Sequence, residues 1–93
     1  MEPAQKVAVL KSLADEVRLS IVQKLLRDDT ETPSSELVNS CANVLKLSQP
    51  TMSHHFSRLV QAGVLSERKS GTEKFYQINR DLLVQAGVDP TNL

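Results

Sequence analysis

Residues 47–59, with the sequence LSQPTMSHHFSRL, combine the start of a helix with two different helix faces. Ser48 can cap this helix because its hydroxyl accepts a hydrogen bond from a first-turn N–H, and Pro50 follows where no helical N–H is needed. The apolar face consists of Leu47, Met52, Phe56, Leu59 and Val60. The other face carries short polar side chains and an arginine. Such a helix can pack on a core while its polar side enters the major groove of DNA.

Helical signals also occupy most of the chain before residue 47. Apolar spacing predicts a first helix over residues 4–14 and a second helix after Asp15, which is placed to cap it. The polar, acidic stretch 28–33 should end the second helix. A third helix is expected to start at Thr32-Pro33 or at Ser34, because proline is tolerated in a first turn. Cys41 falls on its inner face and is interpreted as a small buried apolar residue.

The second half of the chain predicts two strands after the Ser48–Ala62 helix, which Gly63 should end. Residues 64–68 and 73–78 are predicted to be strands, and residues 69–72 supply a glycine-containing hairpin loop between them. Phe75 and Tyr76 point to opposite faces, so one of them should be in the core. A short last helix is expected after Asn79-Arg80-Asp81 and before Gly87. The predicted fold is a mostly α winged helix-turn-helix with a small β-hairpin, in the order α-α-α-α-β-β-α, forming one domain over residues 1–93.

The formal net charge is zero, but the charges are unevenly distributed along the chain. Residues 1–45 carry five cations and seven acids, residues 46–80 carry six cations and two acids, and the last thirteen residues add two acids. The basic zone therefore coincides with the candidate DNA-reading helix and the hairpin. This distribution is typical of a small DNA-binding domain, although a solvated charged face gives the same pattern.

Several classes of protein are disfavoured by what the sequence lacks. It has no glycine-rich phosphate loop, no nucleophile elbow and no convincing carboxylate pair, so we expect neither an enzyme nor a bound cofactor. Its low aromatic content argues against a platform for single-stranded nucleic acid. No run of 18 apolar residues and no N-terminal signal segment is present, and the single cysteine cannot form an internal disulfide. A cytoplasmic protein is therefore expected.

Three segments together resemble the ArsR-type family of winged-helix repressors. They are residues 13–21 (LADEVRLSI), residues 47–59, and residues 62–65 (AGVL) with the hairpin up to FYQIN at 75–79. The resemblance implies a homodimer that represses transcription by occupying an operator until a signal releases it. It also implies that the first and last helices form the dimer interface, for which the candidates are Val7, Leu10, Leu82 and Leu83.

The chain departs from the family at its metal sites and in its third helix. The family places a Cys-x-Cys pair soon after Glu-Leu, whereas here Glu36-Leu37 is followed by Cys41 alone. The family's last-helix site needs histidine, and no histidine follows His55. We therefore expect no metal at these sites within one chain, which leaves a site bridging two subunits open. The segment before Ser48 is also longer than usual, and Lys46 stands where glycine is common.

Double-stranded DNA carrying an imperfect palindrome is the expected partner, with half-sites about 10 base pairs or a multiple apart. The reading helix is expected to contact DNA through Ser48, Gln49, Thr51, Ser53, His54 and Arg58. The wing and its flank are expected to contact DNA through Lys46, Arg68, Lys69, Thr72 and Lys74. Two alternatives remain, namely a winged helix that binds protein, and a repressor controlled by Cys41 oxidation or by a small molecule.

Overall fold

The computed structural model describes residues 1–28 and 31–93, which form a helical body and a small antiparallel sheet. The elements in chain order are α1 (Pro3–Leu13), α2 (Glu16–Asp28), β1 (Thr32–Pro33), α3 (Ser34–Leu45), α4 (Gln49–Gln61), β2 (Leu65–Ser70), β3 (Glu73–Ile78), α5 (Arg80–Gln85) and a final 3₁₀ turn (Pro90–Asn92). The predicted fold class is confirmed. Among the described residues, no helix has both the length and the apolar character needed to span a membrane.

The caps predicted from the sequence set the helix boundaries. The Asp15 carboxylate accepts a hydrogen bond from the Arg18 N–H at 3.0 Å, and the Asn79 side chain accepts one from the Leu82 N–H at 3.2 Å. Ser48 accepts from the Thr51 N–H at 3.3 Å, and Gly63 follows α4 with φ +85°. Each cap satisfies an N–H that the helix itself cannot pair, so local chemistry determines where α2, α4 and α5 begin.

The region before α3 differs from the prediction. Thr32 and Pro33 form the short strand β1, which pairs antiparallel with Tyr76 and Phe75 of β3. The sheet is therefore three-stranded, in the order β1-β3-β2, where the sequence predicted a two-stranded hairpin. Pro33 is tolerated because β1 lies at the sheet edge, where its missing N–H breaks no ladder. Helix α3 begins at Ser34, and residues 29 and 30 of the predicted acidic connection lie outside the described residues.

The wing hairpin is tighter than predicted. Ser70 pairs with Glu73, so the turn consists only of Gly71 and Thr72, and Gly71 adopts φ +64°. Lys69, which was expected in the loop, belongs to β2 and stands opposite Lys74. The glycine at the positive-φ position lets the two strands continue almost to the tip.

The core lies beneath α4 and joins it to the helices and to the sheet. Met52, Phe56 and Leu59 on α4 are fully buried, and the Phe56 ring stacks on Tyr76 of β3 with ring centroids 5.3 Å apart. Tyr76 is thus the core aromatic of the hairpin. The buried set also contains Val9, Leu13, Ile21, Val22, Leu25, Leu37, Cys41, Val64, Leu65, Ile78 and Leu83. The predicted apolar face of α4 is therefore the surface that fixes this helix to the domain.

Candidate nucleic-acid interface

Helix α4 presents a polar exposed face opposite its buried one. Thr51, Ser53, His54 and Arg58 are all exposed. The Arg58 Nε donates to the His54 Nε2 at 3.5 Å, as expected for residues four apart on one helix face. The structure thus brings the predicted residues of this helix to one side, where their donors and acceptors are available to a ligand. Hereafter α4 is called the recognition helix.

The first turn of the recognition helix is organised by its own side chains. Besides capping the helix, the Ser48 hydroxyl donates to the Thr51 Oγ1 at 2.9 Å. The Gln49 side-chain amide donates to the Asn39 side-chain oxygen on α3. Asn39 was not among the predicted site residues, and the sequence offers no signal for this contact because ten residues separate the pair. Gln49 is therefore held by α3 before any ligand is bound.

A cleft of 480 Å³, called the wing cleft below, lies between the recognition helix, α3 and the wing. Gln49, Ser53, Ser57 and Gln61 follow one another at four-residue spacing along its helical wall. Lys74 lies on the opposite, wing side of the cleft. Ser57 and Gln61 were missed in the sequence, although the spacing from Ser53 would have placed them on this strip. The polar face of the helix is therefore one turn longer than predicted.

His55 faces the protein interior and is partly buried. Its Nδ1 lies 3.3 Å from the Arg18 Nη1 and 3.8 Å from the Asp15 Oδ2, at the junction of α1 and α2. Burial lowers the pKa of His55, although the nearby Asp15 carboxylate opposes that shift. This histidine ties the recognition helix to α2 while His54 beside it stays exposed.

Two of the predicted wing cations are paired with acidic residues. The Arg68 guanidinium binds both carboxylate oxygens of Glu31, at 2.9 and 2.7 Å, and stacks 4.9 Å from the Phe75 ring centroid. This contact holds the pKa of Glu31 below its ordinary value. Lys74 lies 3.1 Å from the Glu67 carboxylate. In the DNA-free domain Arg68 and Lys74 are therefore neutralised by acidic neighbours, and their assignment as DNA contacts stays a prediction.

The other predicted flank residues are exposed. Lys69 projects from β2 next to the tip, and Thr72 lies in the two-residue turn. Lys46 is exposed between α3 and the recognition helix and adopts the left-handed conformation, with φ 59° and ψ 41°. Glycine usually occupies such a position because it has no Cβ to clash. A lysine there places a cation next to the first turn of the recognition helix.

Replacing Glu31 with glutamine is expected to strengthen binding to any duplex. The change releases Arg68, and one further neutralised phosphate per subunit would steepen the dependence of log K on log salt by about 0.9 per subunit. Fluorescence anisotropy over a salt series measures this slope. Glu73→Gln makes the same charge change on the wing without disturbing Arg68. Equal effects of both variants would show that only net charge matters.

The residues proposed for a dimer interface differ in accessibility. Val7 and Leu10 on α1 are 48% and 44% exposed, and Leu82 is partly buried. Leu83 is fully buried in the core of its own chain, so its assignment to an interface is wrong. The next residue, Val84, is 62% exposed and is the most accessible apolar side chain of α5. Leu83 could not be oriented from the sequence because a six-residue helix carries too little periodicity to distinguish its faces.

Neither the cysteine nor the histidines assemble a metal site in the described chain. No group of three histidine, cysteine, aspartate or glutamate side chains in residues 1–28 and 31–93 is arranged to hold an ion. Cys41 is 3% exposed, and burial raises the pKa of its thiol. Its interpretation as a small buried apolar residue is confirmed, and a thiol in this state is a poor nucleophile.

Known proteins resemble this chain in both sequence and fold. A family model described as a helix-turn-helix domain matches residues 13–68. An uncharacterized HTH-type transcriptional regulator of Methanocaldococcus jannaschii is 40% identical over 82 residues, which cover 87% of this chain and 86% of that protein. The arsenical resistance operon repressor of Staphylococcus aureus is 35% identical over 73 residues, covering 70% of this chain and 69% of the repressor.

Solved structures agree with these sequence matches. HlyU from Vibrio cholerae is 31% identical and superposes with a TM-score of 0.68, covering 94% of this chain and 91% of HlyU. A homodimeric winged helix-turn-helix DNA-binding domain from Mycobacterium bovis, described as a possible ArsR-family transcriptional regulator, is 26% identical with a TM-score of 0.68. That match covers 90% of this chain and 73% of the other.

Proposed function

This chain belongs to the ArsR family of winged helix-turn-helix transcriptional regulators, and from this premise we propose that it is a homodimeric repressor of an imperfectly palindromic operator. One observation carries the proposal. The recognition helix is capped by Ser48 and anchored by three fully buried residues, and it exposes an uninterrupted polar strip on its opposite side. In such helices the N-terminal residues contact base edges in the major groove.

We assign base contacts to the first two turns of the recognition helix and phosphate contacts to the cations around it. Gln49, Ser53 and His54 offer donors and acceptors of the length that reaches base edges. Arg58, Lys46 and Lys69 are placed to bind phosphates, which fix the register of a protein on its duplex. Arg68 and Lys74 would join them only by exchanging their carboxylate partners for phosphates. In this proposal residues 1–93 act as one domain, in the cytoplasm, by binding and not by catalysis.

The proposal extends to the dimer interface and sets aside two inducing signals. We assign the interface to α1 and α5, through Val7, Leu10, Leu82 and Val84. Release by the family's usual metals is not proposed, because the third-helix site has only Cys41 and the last-helix site has no histidine. Oxidation of Cys41 is not favoured either, because its thiol is buried and its pKa is raised.

Competition between specific and random DNA tests the proposed function. A labelled duplex from upstream of the protein's own gene is bound and then challenged with random duplex at about physiological salt, with anisotropy as the readout. Retention against a thousandfold excess is expected, because specific sites typically bind ~10³ times or more tighter than non-specific ones. Equal competition by random duplex, across fragments tiled over the neighbouring promoters, would instead favour a winged helix that binds protein.

Replacing Gln49 with alanine is expected to relax discrimination at a single base pair. A glutamine pairs with adenine through two hydrogen bonds, and their loss costs about 1–3 kcal/mol at that position. Binding to a set of operators with every single substitution measures the change. Asn39→Ala is the matched control, because it removes the residue that holds Gln49 without removing Gln49 itself. An unchanged base preference in Gln49→Ala would contradict a reading role for this residue.

A further inference from the structure

A second cleft lies on the other flank of the recognition helix, between it and helices α1 and α2. Its volume is 280 Å³, and three cationic side chains line it, namely Lys11 from α1, Arg18 from α2 and Arg58 from the recognition helix. Ser12 and Gln61 are among the remaining lining residues, none of which is acidic. Cations from three separate helices thus converge on one concave surface, where their potentials add. This surface is called the α1 cleft below.

Arg18 is held in place within the α1 cleft. Its Nε donates to the Ser12 carbonyl oxygen at 2.7 Å, and its Nη1 lies 3.3 Å from the His55 Nδ1. The nearest acid, Asp15, accepts from the backbone N–H of Arg18 and faces His55. A guanidinium fixed in this way loses little side-chain freedom when an anion binds to its remaining donors.

The three cations of the α1 cleft also form no close ion pair, and the only acid that acts on them is Asp15, whose carboxylate interacts with the charge of Arg18 among the described residues. Lys11, Arg18 and Arg58 form no ion pair within 4.0 Å with any residue in the ranges 1–28 and 31–93. The wing differs, since Arg68 and Lys74 are both neutralised there. In the DNA-free domain the wing thus keeps Lys69 as its cation without an ion pair among the described residues, whereas the α1 cleft keeps three such cations.

We propose that the α1 cleft binds a phosphate of the DNA backbone, on the side of the recognition helix opposite the wing cleft. The proposal rests on the proposed function, because a helix in the major groove has a phosphate backbone along each flank. Arg58 belongs to both surfaces, because it lies on the exposed face of the recognition helix and also lines the α1 cleft. The cleft has the volume of several water molecules, which is sufficient for a phosphodiester group. Lys11 would then contact DNA from α1, which belongs neither to the helix-turn-helix nor to the wing.

Lys11→Gln tests the proposal in the full chain. Loss of one phosphate contact should weaken operator and random duplex by the same factor, roughly fivefold per subunit at about 0.15 M salt, and reduce the salt slope by about 0.9 per subunit. Lys11→Arg should restore both values. Lys6→Gln is the matched control, because Lys6 is exposed on the same helix but does not line the cleft. Sedimentation and thermal melting of each variant exclude changes in dimerisation or folding.

The outcomes separate this inference from the proposed function. If the unmodified protein selects an operator but Lys11→Gln behaves as Lys6→Gln does, the inference is wrong and the repressor function stands. If the unmodified protein shows no operator preference, the repressor function fails, and the salt slope on random duplex still tests the cleft. The α1 cleft could also bind a free phosphate ion. A titration of inorganic phosphate into the DNA-free protein, followed by NMR, tests this alternative. The DNA assignment would be overturned in favour of a free anion if Lys11→Gln abolished phosphate binding but left the salt slope of DNA binding unchanged.

Discussion

Replacing Phe56 with alanine is expected to lower the free energy of unfolding by about 3–5 kcal/mol. The Phe56 ring is fully buried and stacks on Tyr76, so its removal leaves a cavity between the recognition helix and the sheet. Small domains are stable by only about 5–15 kcal/mol, and the loss is therefore a large share of the total. Urea denaturation followed by far-UV circular dichroism measures it, at one fixed protein concentration because dimerisation adds to stability.

Phe75→Ala provides the control for this measurement. Phe75 is the neighbour of Tyr76 on the outer face of β3, where it is partly exposed and contacts Arg68. The same truncation should cost much less there, because a partly exposed ring leaves no closed cavity. If the two variants lost equal stability, the recognition helix would not be anchored through Phe56 in the way described.

Replacing Leu10 with glutamate is expected to reduce operator affinity by about 10²–10⁴-fold. In the proposed dimer Leu10 is buried against the partner, and a carboxylate placed there must lose its hydration without gaining a pairing partner. Each subunit would then bind its half-site alone and lose the benefit of simultaneous binding. The fold should survive, because Leu10 is 44% exposed within one chain. Analytical ultracentrifugation and anisotropy measure the two effects together.

Val44→Glu is the matched control for the dimer variant. Val44 is 74% exposed on α3, outside the proposed interface, and receives the same change from an apolar side chain to a carboxylate. It should leave both the dimer and the operator affinity close to those of the unmodified protein. A Leu10→Glu protein that still sediments as a dimer would place the interface elsewhere, and an equal effect of Val44→Glu would point to α3.

Much of the fold could be predicted because its boundaries depend on neighbouring residues. Asp15, Ser48 and Asn79 each cap a helix through a hydrogen bond to the N–H three residues later. Strand β1 was missed for the opposite reason, since its two residues pair with Tyr76 and Phe75 more than forty positions away. A two-residue strand has no periodicity, so its existence depends on whether β3 lies beside it.

The candidate site was predictable to a similar degree. The exposed side of the recognition helix follows from helical spacing, which places Ser53, His54 and Arg58 on one face. The contact of Gln49 with Asn39 and that of Arg68 with Glu31 did not follow, because each joins separate elements. A charge count gives the sign of a region but not which cations remain unpaired.

The sequence by itself determined the starts of α2, α4 and α5, the buried side of the recognition helix and the positive character of residues 46–80. These properties arise from residues within a few positions of one another, where 3.6-residue periodicity and capping hydrogen bonds act. Only the tertiary structure decided that Arg68 and Lys74 are neutralised on the wing, and that Lys11 and Arg18 share a cleft with Arg58. Coulomb energy depends on distance in space, and packing brings charges together across any separation along the chain.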